Sequence, residues 1–107
     1  MLVIRVFCNQ GMSTSILVSK MRKAAEKKEM EVDIAAFPVH EMSDRIEGSD
    51  CALLGPQVGY LKGKVAEVCQ AKNVPVDVIP AVDYGMCDGE KVLEFARRLA
   101  GKQEDGK

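Results

Sequence analysis

Four short apolar runs, separated by longer segments with helical periodicity, constrain the fold of this sequence most strongly. Short apolar runs bounded by Gly, Pro or polar residues are typical of buried strands, and apolar residues three and four positions apart are typical of helices. Strands are predicted at 2–7, 32–37, 50–54 and 76–79, and helices at 13–28, 40–47, 58–72 and about 89–100. This alternation indicates a three-layer α/β domain, in which helices cover both faces of a parallel sheet.

Length and charge narrow the class of protein further. A chain of 107 residues suits a single domain, and a net charge of -1 argues against a dedicated nucleic-acid binder. No apolar run approaches the roughly 20 residues of a membrane-spanning helix, and the amino terminus lacks the pattern of a signal peptide. We therefore predict one cytoplasmic, monomeric domain over residues 1–101, followed by a polar tail over 102–107.

The four cysteines do not form a recognisable metal or disulfide framework. Cys8, Cys51, Cys69 and Cys87 are widely spaced, and the single histidine, His40, has no cysteine near it in the sequence. Zinc sites need clustered ligands, and a cytoplasmic compartment keeps thiols reduced. Free thiols are therefore expected, and neither a metal nor a cofactor is.

The loop after the first predicted strand is the candidate site, because ligands of open α/β sheets bind at the carboxyl ends of the strands. Cys8 ends that strand, Gly11 gives the loop conformational freedom, and Ser13, Thr14 or Ser15 can cap the next helix. Such a loop directs several N–H groups at one anion. The same donors would stabilise a Cys8 thiolate, which is the nucleophilic form.

The spacing within this loop resembles that of cysteine-type tyrosine phosphatases, which use a C-x5-R-[ST] loop. Thr14 occupies the position of their arginine and Ser15 that of the hydroxyl residue, so the guanidinium that would clamp phosphate is missing. A nucleotide P-loop does not fit either, because no Gly-Lys pair follows. These residues favour a phosphoryl carrier on sulfur. A low-molecular-weight cysteine phosphatase is the alternative, and a flavodoxin-like or response-regulator domain fits less well.

Several segments together resemble the IIB components of the bacterial phosphoenolpyruvate-dependent sugar phosphotransferase system, in the lactose/cellobiose/chitobiose class. The segments that carry the resemblance are Cys8, GMSTS at 11–15, LVSKM at 17–21, AFP at 36–38, LLGPQ-x-x-Y at 53–60 and YG-x-x-DG at 84–89. Members commonly have Ser-Ala where this chain has Asn9-Gln10. That departure bears on the polarity of the loop and on the choice of partner.

The resemblance implies a sheet of order 2-1-3-4, similar to that of low-molecular-weight tyrosine phosphatases. It also implies that Cys8 accepts a phosphoryl group from a phosphohistidine of a IIA protein. The phosphocysteine then passes the group to a sugar, such as a β-linked disaccharide, held by the membrane component IIC, which the domain meets transiently at the inner face of the membrane. The residues implied to hold the phosphate are Asn9, Gln10, Gly11, Met12, Ser13, Thr14 and Ser15.

The remaining chemistry-bearing residues favour structural roles. Cys51 and Cys69 fall in a strand and on the apolar face of a helix, whereas Cys87 follows the fourth strand and is either an incidental thiol or a redox partner of Cys8. His40 is interpreted as a solvated loop residue.

Three further residues stand out at or near the predicted sheet. Gln57 and Tyr84 fall in loops after strands, where they either build turns or contact phosphate or a partner. Arg5 conflicts with the predicted sheet, because a strand covered on both faces favours apolar residues.

Overall fold

The computed structural model describes residues 1–9 and 12–105, with backbone only for 12–13 and 102–105. Its four strands are parallel and lie in the order β2-β1-β3-β4, which confirms the expected topology. Each strand coincides with one of the apolar runs. The strands are β1 (Leu2–Cys8), β2 (Val32–Pro38), β3 (Cys51–Leu54) and β4 (Val76–Val78).

Among the described residues, five α-helices and two 3-10 segments connect and cover the strands. The helices are α1 (Met12–Lys27), α2 (Met42–Arg45), α3 (Lys62–Ala71), α4 (Ala81–Gly85) and α5 (Gly89–Asp105), and the 3-10 segments are Val39–Glu41 and Pro56–Leu61.

Four of these elements differ from the prediction. The helix expected at 40–47 is instead the 3-10 segment Val39–Glu41 followed by the four-residue α2. The helix expected from residue 58 begins at Lys62, because a non-helical Val58 (φ -112°) interrupts the 3-10 segment that precedes it. The helix α4 was not expected, since it is too short to show apolar periodicity. The helix α5 continues past Ala100 to Asp105, because Lys102, Gln103 and Glu104 are good helix formers added to an existing helix.

The sheet separates two hydrophobic clusters, as a three-layer domain requires. On one face α1 and α5 cover Ile4 and Val6, and on the other face α2 and α3 cover Phe7. All three of these strand residues are fully buried. β1 is therefore a central strand with both faces packed, and its carboxyl end is held in place by β2 and β3. Within the described part of the chain, no helix has the length and apolar character needed to cross a membrane.

The charged residue in this central strand is neutralised by the neighbouring edge strand. Arg5 Nη2 lies 3.1 Å from Oδ2 of Asp33 on β2, and Arg5 Nη1 donates to the Asp33 carbonyl oxygen at 2.9 Å. The hydrogen bond and the positive charge of Arg5 lower the pKa of Asp33. Because β2 is the sheet edge, Arg5 reaches a half-exposed carboxylate, and the predicted conflict with the fold is resolved.

Candidate functional site

Cys8 ends the central strand at the carboxyl edge of the sheet. Cys8 pairs with Pro38 on β2. The carbonyl oxygen of the preceding residue, Phe7, accepts the N–H of Gly55 at 2.9 Å. The Cys8 side chain is only 5% exposed, so the sulfur is largely covered by its surroundings. The carboxyl ends of β1 and β3 thus meet beside this thiol.

Gly55 leaves space next to Cys8. A Cβ placed on Gly55 would lie 3.6 Å from the Cys8 Cβ, 3.6 Å from Tyr84 Cε2 and 2.7 Å from Gln57 Oε1. Of these three residues Gln57 is the exposed one, and it lies in a segment that follows a strand, as predicted. The lack of a side chain at Gly55 therefore allows Cys8, Gln57 and Tyr84 to approach one another.

The helix after the cysteine begins at Met12. Thr14 and Ser15 consequently lie inside its first turn, and the expectation that residue 13, 14 or 15 caps the helix is wrong. The first N–H groups of a helix have no partner within it and carry its positive dipole end. In α1 these first N–H groups lie only a few positions after Cys8 in the sequence. Gln10 and Gly11 lie outside the described residues, and Asn9 is exposed.

Thr14 is connected to a distant part of the chain. Its side chain is 1% exposed, and its Oγ1 lies 2.6 Å from Oη of Tyr84. Tyr84 belongs to the short helix α4 and is buried, so the prediction that it lies in a loop after a strand was wrong. The hydroxyl that stands in the position of a phosphatase arginine is thus already paired with a protein group.

A compact connection joins α4 to α5 next to α1. Cys87 adopts a left-handed conformation (φ 51°), and its N–H donates to the Tyr84 carbonyl oxygen at 3.0 Å. Asp88 caps α5, because its Oδ1 accepts the N–H of Lys91 at 3.1 Å. Cys87 is partly exposed and free, and its redox role stays a prediction.

The other two cysteines have surroundings that keep the thiol protonated. Burial, with a contribution from the charge of Asp50, raises the pKa of Cys51 to about 12. Burial also raises the pKa of Cys69 to about 11. Both side chains are fully buried, which fits the structural roles predicted for them. The exposed His40 lies 4.0 Å from a Glu41 carboxylate oxygen, in a 3-10 turn.

Three exposed apolar side chains were missed by sequence reasoning. Ile16 on α1 is 49% exposed, and Val82 and Met86, at α4, are 71% and 72% exposed. We call these three residues the apolar rim. Ile16 carried a usable signal, because it falls outside the apolar stripe of α1. Val82 and Met86 carried none, because the helix to which they belong was not predicted.

A comparison with known protein families shows the family to which this chain belongs. The family model for the lactose/cellobiose-specific IIB subunit of the phosphotransferase system (PTS) matches residues 3–95. The chain belongs to this family. Such EIIB components are phosphotransferases that carry a phosphoryl group to a sugar during its uptake.

Curated relatives match over nearly their whole length. The chain is 44% identical over 102 residues to a PTS galactose-specific EIIB component from Lactococcus lactis subsp. cremoris (strain MG1363), covering 91% of this chain and 94% of the relative. Identity and coverage are the same for a cellobiose-specific EIIB component from Lactococcus lactis subsp. lactis (strain IL1403). An oligo-beta-mannoside-specific EIIB component from Bacillus subtilis (strain 168) is 36% identical, with 90% of this chain and 93% of the relative covered.

Two solved structures share the fold. The cellobiose-specific IIB protein from Borrelia burgdorferi has a TM-score of 0.79 at 33% identity, covering 95% of this chain and 94% of that chain. The lactose-specific IIB domain from Streptococcus pneumoniae has a TM-score of 0.82 at 17% identity, covering 92% and 96%. The three-layer fold with sheet order 2-1-3-4 is therefore that of the IIB components, as expected.

Proposed function

We propose that Cys8 is the residue that carries the phosphoryl group in this EIIB component. The observation that supports this most directly is its position at the carboxyl end of β1, shortly before the start of α1. A thiolate there gains from the unpaired N–H groups and the dipole of the helix. Cys51 and Cys69 lack this setting, and burial holds their thiols in the protonated form.

The proposed transfer has two displacement steps at phosphorus. The Cys8 thiolate attacks the phosphorus of a IIA phosphohistidine, the P–N bond breaks, the P–S bond forms and the imidazole leaves. A sugar hydroxyl at IIC then attacks the same phosphorus, loses its proton and releases the Cys8 thiolate as the P–S bond breaks. Positioned donors at the equatorial oxygens assist both steps.

The donors proposed to hold the phosphoryl oxygens come from the loop and the first turn of α1. Backbone N–H groups are the main donors, because Thr14, despite lying in this segment, has its hydroxyl paired with Tyr84. Ser15 is exposed, and its hydroxyl is proposed as a further donor. The proposed phosphate-binding segment consists of Asn9, Gln10, Gly11, Met12, Ser13, Thr14 and Ser15.

The sugar is proposed to be a β-linked disaccharide or a similar sugar, which IIC rather than this domain binds. The curated relatives named for cellobiose, galactose and oligo-beta-mannoside support this substrate class. The domain over 1–101 would act as a monomer in the cytoplasm and meet IIC at the inner face of the membrane. Residues 102–107 are proposed to be dispensable for transfer, since the family match ends at residue 95.

The proposed docking surface for IIA and IIC combines Met12 with the apolar rim. Ile16 lies on the helix that follows the cysteine loop, and the hydrogen bond between Thr14 and Tyr84 ties that helix to α4. Successive partners require short-lived contacts, and transient interfaces commonly bury less than about 1,200 Å². Small apolar contacts beside the reacting sulfur fit this requirement.

Mass spectrometry of the intact protein tests the proposal. After incubation with phosphoenolpyruvate and the upstream relay up to IIA, we expect one phosphoryl group on the wild-type chain and on Cys87→Ser. Fragmentation should place it on Cys8. A phosphoryl group on Cys87 or His40 would contradict the proposal.

The same preparation separates a carrier from a phosphatase. A phosphatase would hydrolyse p-nitrophenyl phosphate rapidly, whereas this chain lacks the arginine that clamps the phosphate and should do so very slowly. Rapid turnover of that substrate by the wild-type chain would favour the low-molecular-weight phosphatase alternative instead.

A further inference from the structure

We propose that Tyr84 is a positioning residue for phosphoryl transfer, which acts through Thr14 on the first turn of α1. The inference rests on the proposed role of Cys8. Tyr84 itself makes no contact with the phosphoryl group in the proposed role. It fixes the helix start that supplies the N–H donors, relative to the strand end that supplies the sulfur.

The contact between Tyr84 and Thr14 is short and shielded from water. Their hydroxyl oxygens are 2.6 Å apart, and the side chains are 8% and 1% exposed. A buried hydroxyl that loses its partner carries the cost of its lost hydration. The pair is therefore favoured over any arrangement in which α1 turns or slides far enough to separate the two oxygens.

The ring of Tyr84 also lies beside the strand ends. Tyr84 Cε2 is 3.6 Å from the point where a Cβ of Gly55 would stand, and the Cys8 Cβ is equally far from that point. Gly55 is hydrogen-bonded through its N–H to the residue before Cys8. Tyr84 thus contacts the sheet next to the cysteine with its ring and contacts α1 with its hydroxyl.

A second contact makes this attachment rigid. A Cβ on Gly89, at the start of α5, would lie 2.6 Å from the carbonyl oxygen of Lys20 and 2.6 Å from the amide nitrogen of Met21. The backbones of α5 and α1 therefore touch there. With the Tyr84 hydroxyl at the first turn of α1 and Gly89 further along it, the 81–89 segment holds α1 at two points.

Two points of attachment define the direction of a helix as well as its position. Loss of the contact at the first turn leaves Gly89 as a pivot, about which the start of α1 can move relative to Cys8. Transfer requires donors aligned on the phosphoryl oxygens and an in-line approach to sulfur, so small displacements slow the reaction. The exposed side chains of the docking surface are all kept when a buried hydroxyl is removed, so docking of IIA should change less than the rate of transfer.

The test removes one oxygen atom. Tyr84→Phe should slow single-turnover transfer from phospho-IIA by roughly tenfold, the rate equivalent of about one hydrogen bond. The phospho-IIA concentration at half-maximal rate should change by a smaller factor than the rate. Tyr60→Phe is the matched control, since Tyr60 is the other tyrosine of the chain and is 82% exposed. It should leave both quantities unchanged.

Alkylation of Cys8 by iodoacetamide, in a Cys87→Ser background, provides a readout that does not need a partner protein. Because misplaced N–H donors stabilise the thiolate less well, the pH profile of alkylation should move to higher pH in Tyr84→Phe and not in Tyr60→Phe. Thr14→Val should give the same shift, and combining it with Tyr84→Phe should add little to either single change.

These readouts separate the inference from the proposed function. Unchanged transfer and an unchanged alkylation profile in both Tyr84→Phe and Thr14→Val would overturn the positioning role and leave Cys8 as carrier. A chain that accepts no phosphoryl group at all would overturn the carrier role, and with it the positioning role in transfer. Fully additive effects of the two substitutions would show that the residues act separately, contrary to the inference.

Discussion

The two ends of the sheet place the same side chain in opposite chemical surroundings. At the carboxyl end, Cys8 is followed closely by the start of α1, and the first N–H groups of a helix have no partner within it. At the amino end of the adjacent strand, Cys51 follows the carboxylate of Asp50 and is fully buried, which raises its pKa to about 12. The two thiols thus differ in their position in the sheet, since one lies buried beside a carboxylate and the other lies just before the start of a helix.

Polar groups at the amino end are used for structure. Asp50 Oδ2 accepts the N–H of Val3 at 2.7 Å, and Arg5 is paired with Asp33. Donors at that end therefore already have acceptors within the fold. At the carboxyl end, Cys8 precedes the start of α1, and the exposed Val82 and Met86 belong to the chain segment that contacts α1. Our proposals for reaction and for partner contact both concern this end.

The largest expected effect comes from exchanging each thiol for a hydroxyl. Cys8→Ser should reduce phosphoryl acceptance by roughly three orders of magnitude or more, because a serine hydroxyl is not ionised there. Cys51→Ser should accept the group at a near-normal rate and show mainly reduced stability, measured by urea unfolding. Radiolabel transfer from phospho-IIA gives the rates. Equal losses in both variants would remove the distinction between the two ends.

A smaller effect, on the free energy of unfolding, is expected at high pH. The Cys51 thiol has an ordinary pKa near 9.0 in the unfolded chain and about 12 in the folded one. Above the lower value the unfolded state releases a proton that the native state retains. Stability should therefore be intact below that pH and fall as pH rises from about 9 to about 12, by at most ~1.4 kcal/mol per pH unit.

Urea unfolding at several pH values measures this decline, and Cys51→Ala is the comparison. The variant should be less stable near neutral pH, because a buried side chain is shortened, but should lose stability less steeply above about pH 9. Parallel slopes for the two proteins would mean that Cys51 does not contribute, and that burial at the amino end has no influence on its ionisation.

The smallest effect on stability is expected from loss of the ion pair between Arg5 and Asp33 at the amino end of the sheet. Arg5 lowers the pKa of Asp33, so the pair stabilises the fold above the ordinary value of 3.8 and this contribution is lost as pH falls. Because Asp33 is half exposed, Asp33→Asn should cost less than about 1 kcal/mol at neutral pH and almost nothing in acid. Thermal unfolding at both pH values provides the check. A changed transfer rate would show that the two ends are coupled.

Strands were the best-predicted part of the fold, because each one is a short apolar run ended by Gly, Pro or a polar residue. Cys8 could be proposed as the reactive thiol for the same reason, since the end of β1 and the start of α1 are both readable from local sequence. The buried settings of Cys51 and Cys69 also follow from their places in a strand and on an apolar helix face.

Contacts made by Tyr84 could not be predicted in the same way. The helix α4 is only five residues long, and its last residue, Gly85, suggested a turn. The pairing of its tyrosine with Thr14 depends on how α1 and α5 cross, which is determined by the close backbone contact at Gly89. Such packing between distant segments leaves no periodic pattern in the sequence.

The hydrogen bond between Thr14 and Tyr84 spans 70 positions of the chain. Contacts so distant form late, because the entropy of closing the intervening loop must first be overcome by other interactions. During synthesis from the amino terminus, Cys8 leaves the ribosome long before Tyr84 does. A nascent chain therefore contains Cys8 well before the residue that is hydrogen-bonded to Thr14. The carboxyl end of the sheet acquires this contact only after the segment around Tyr84 has been translated.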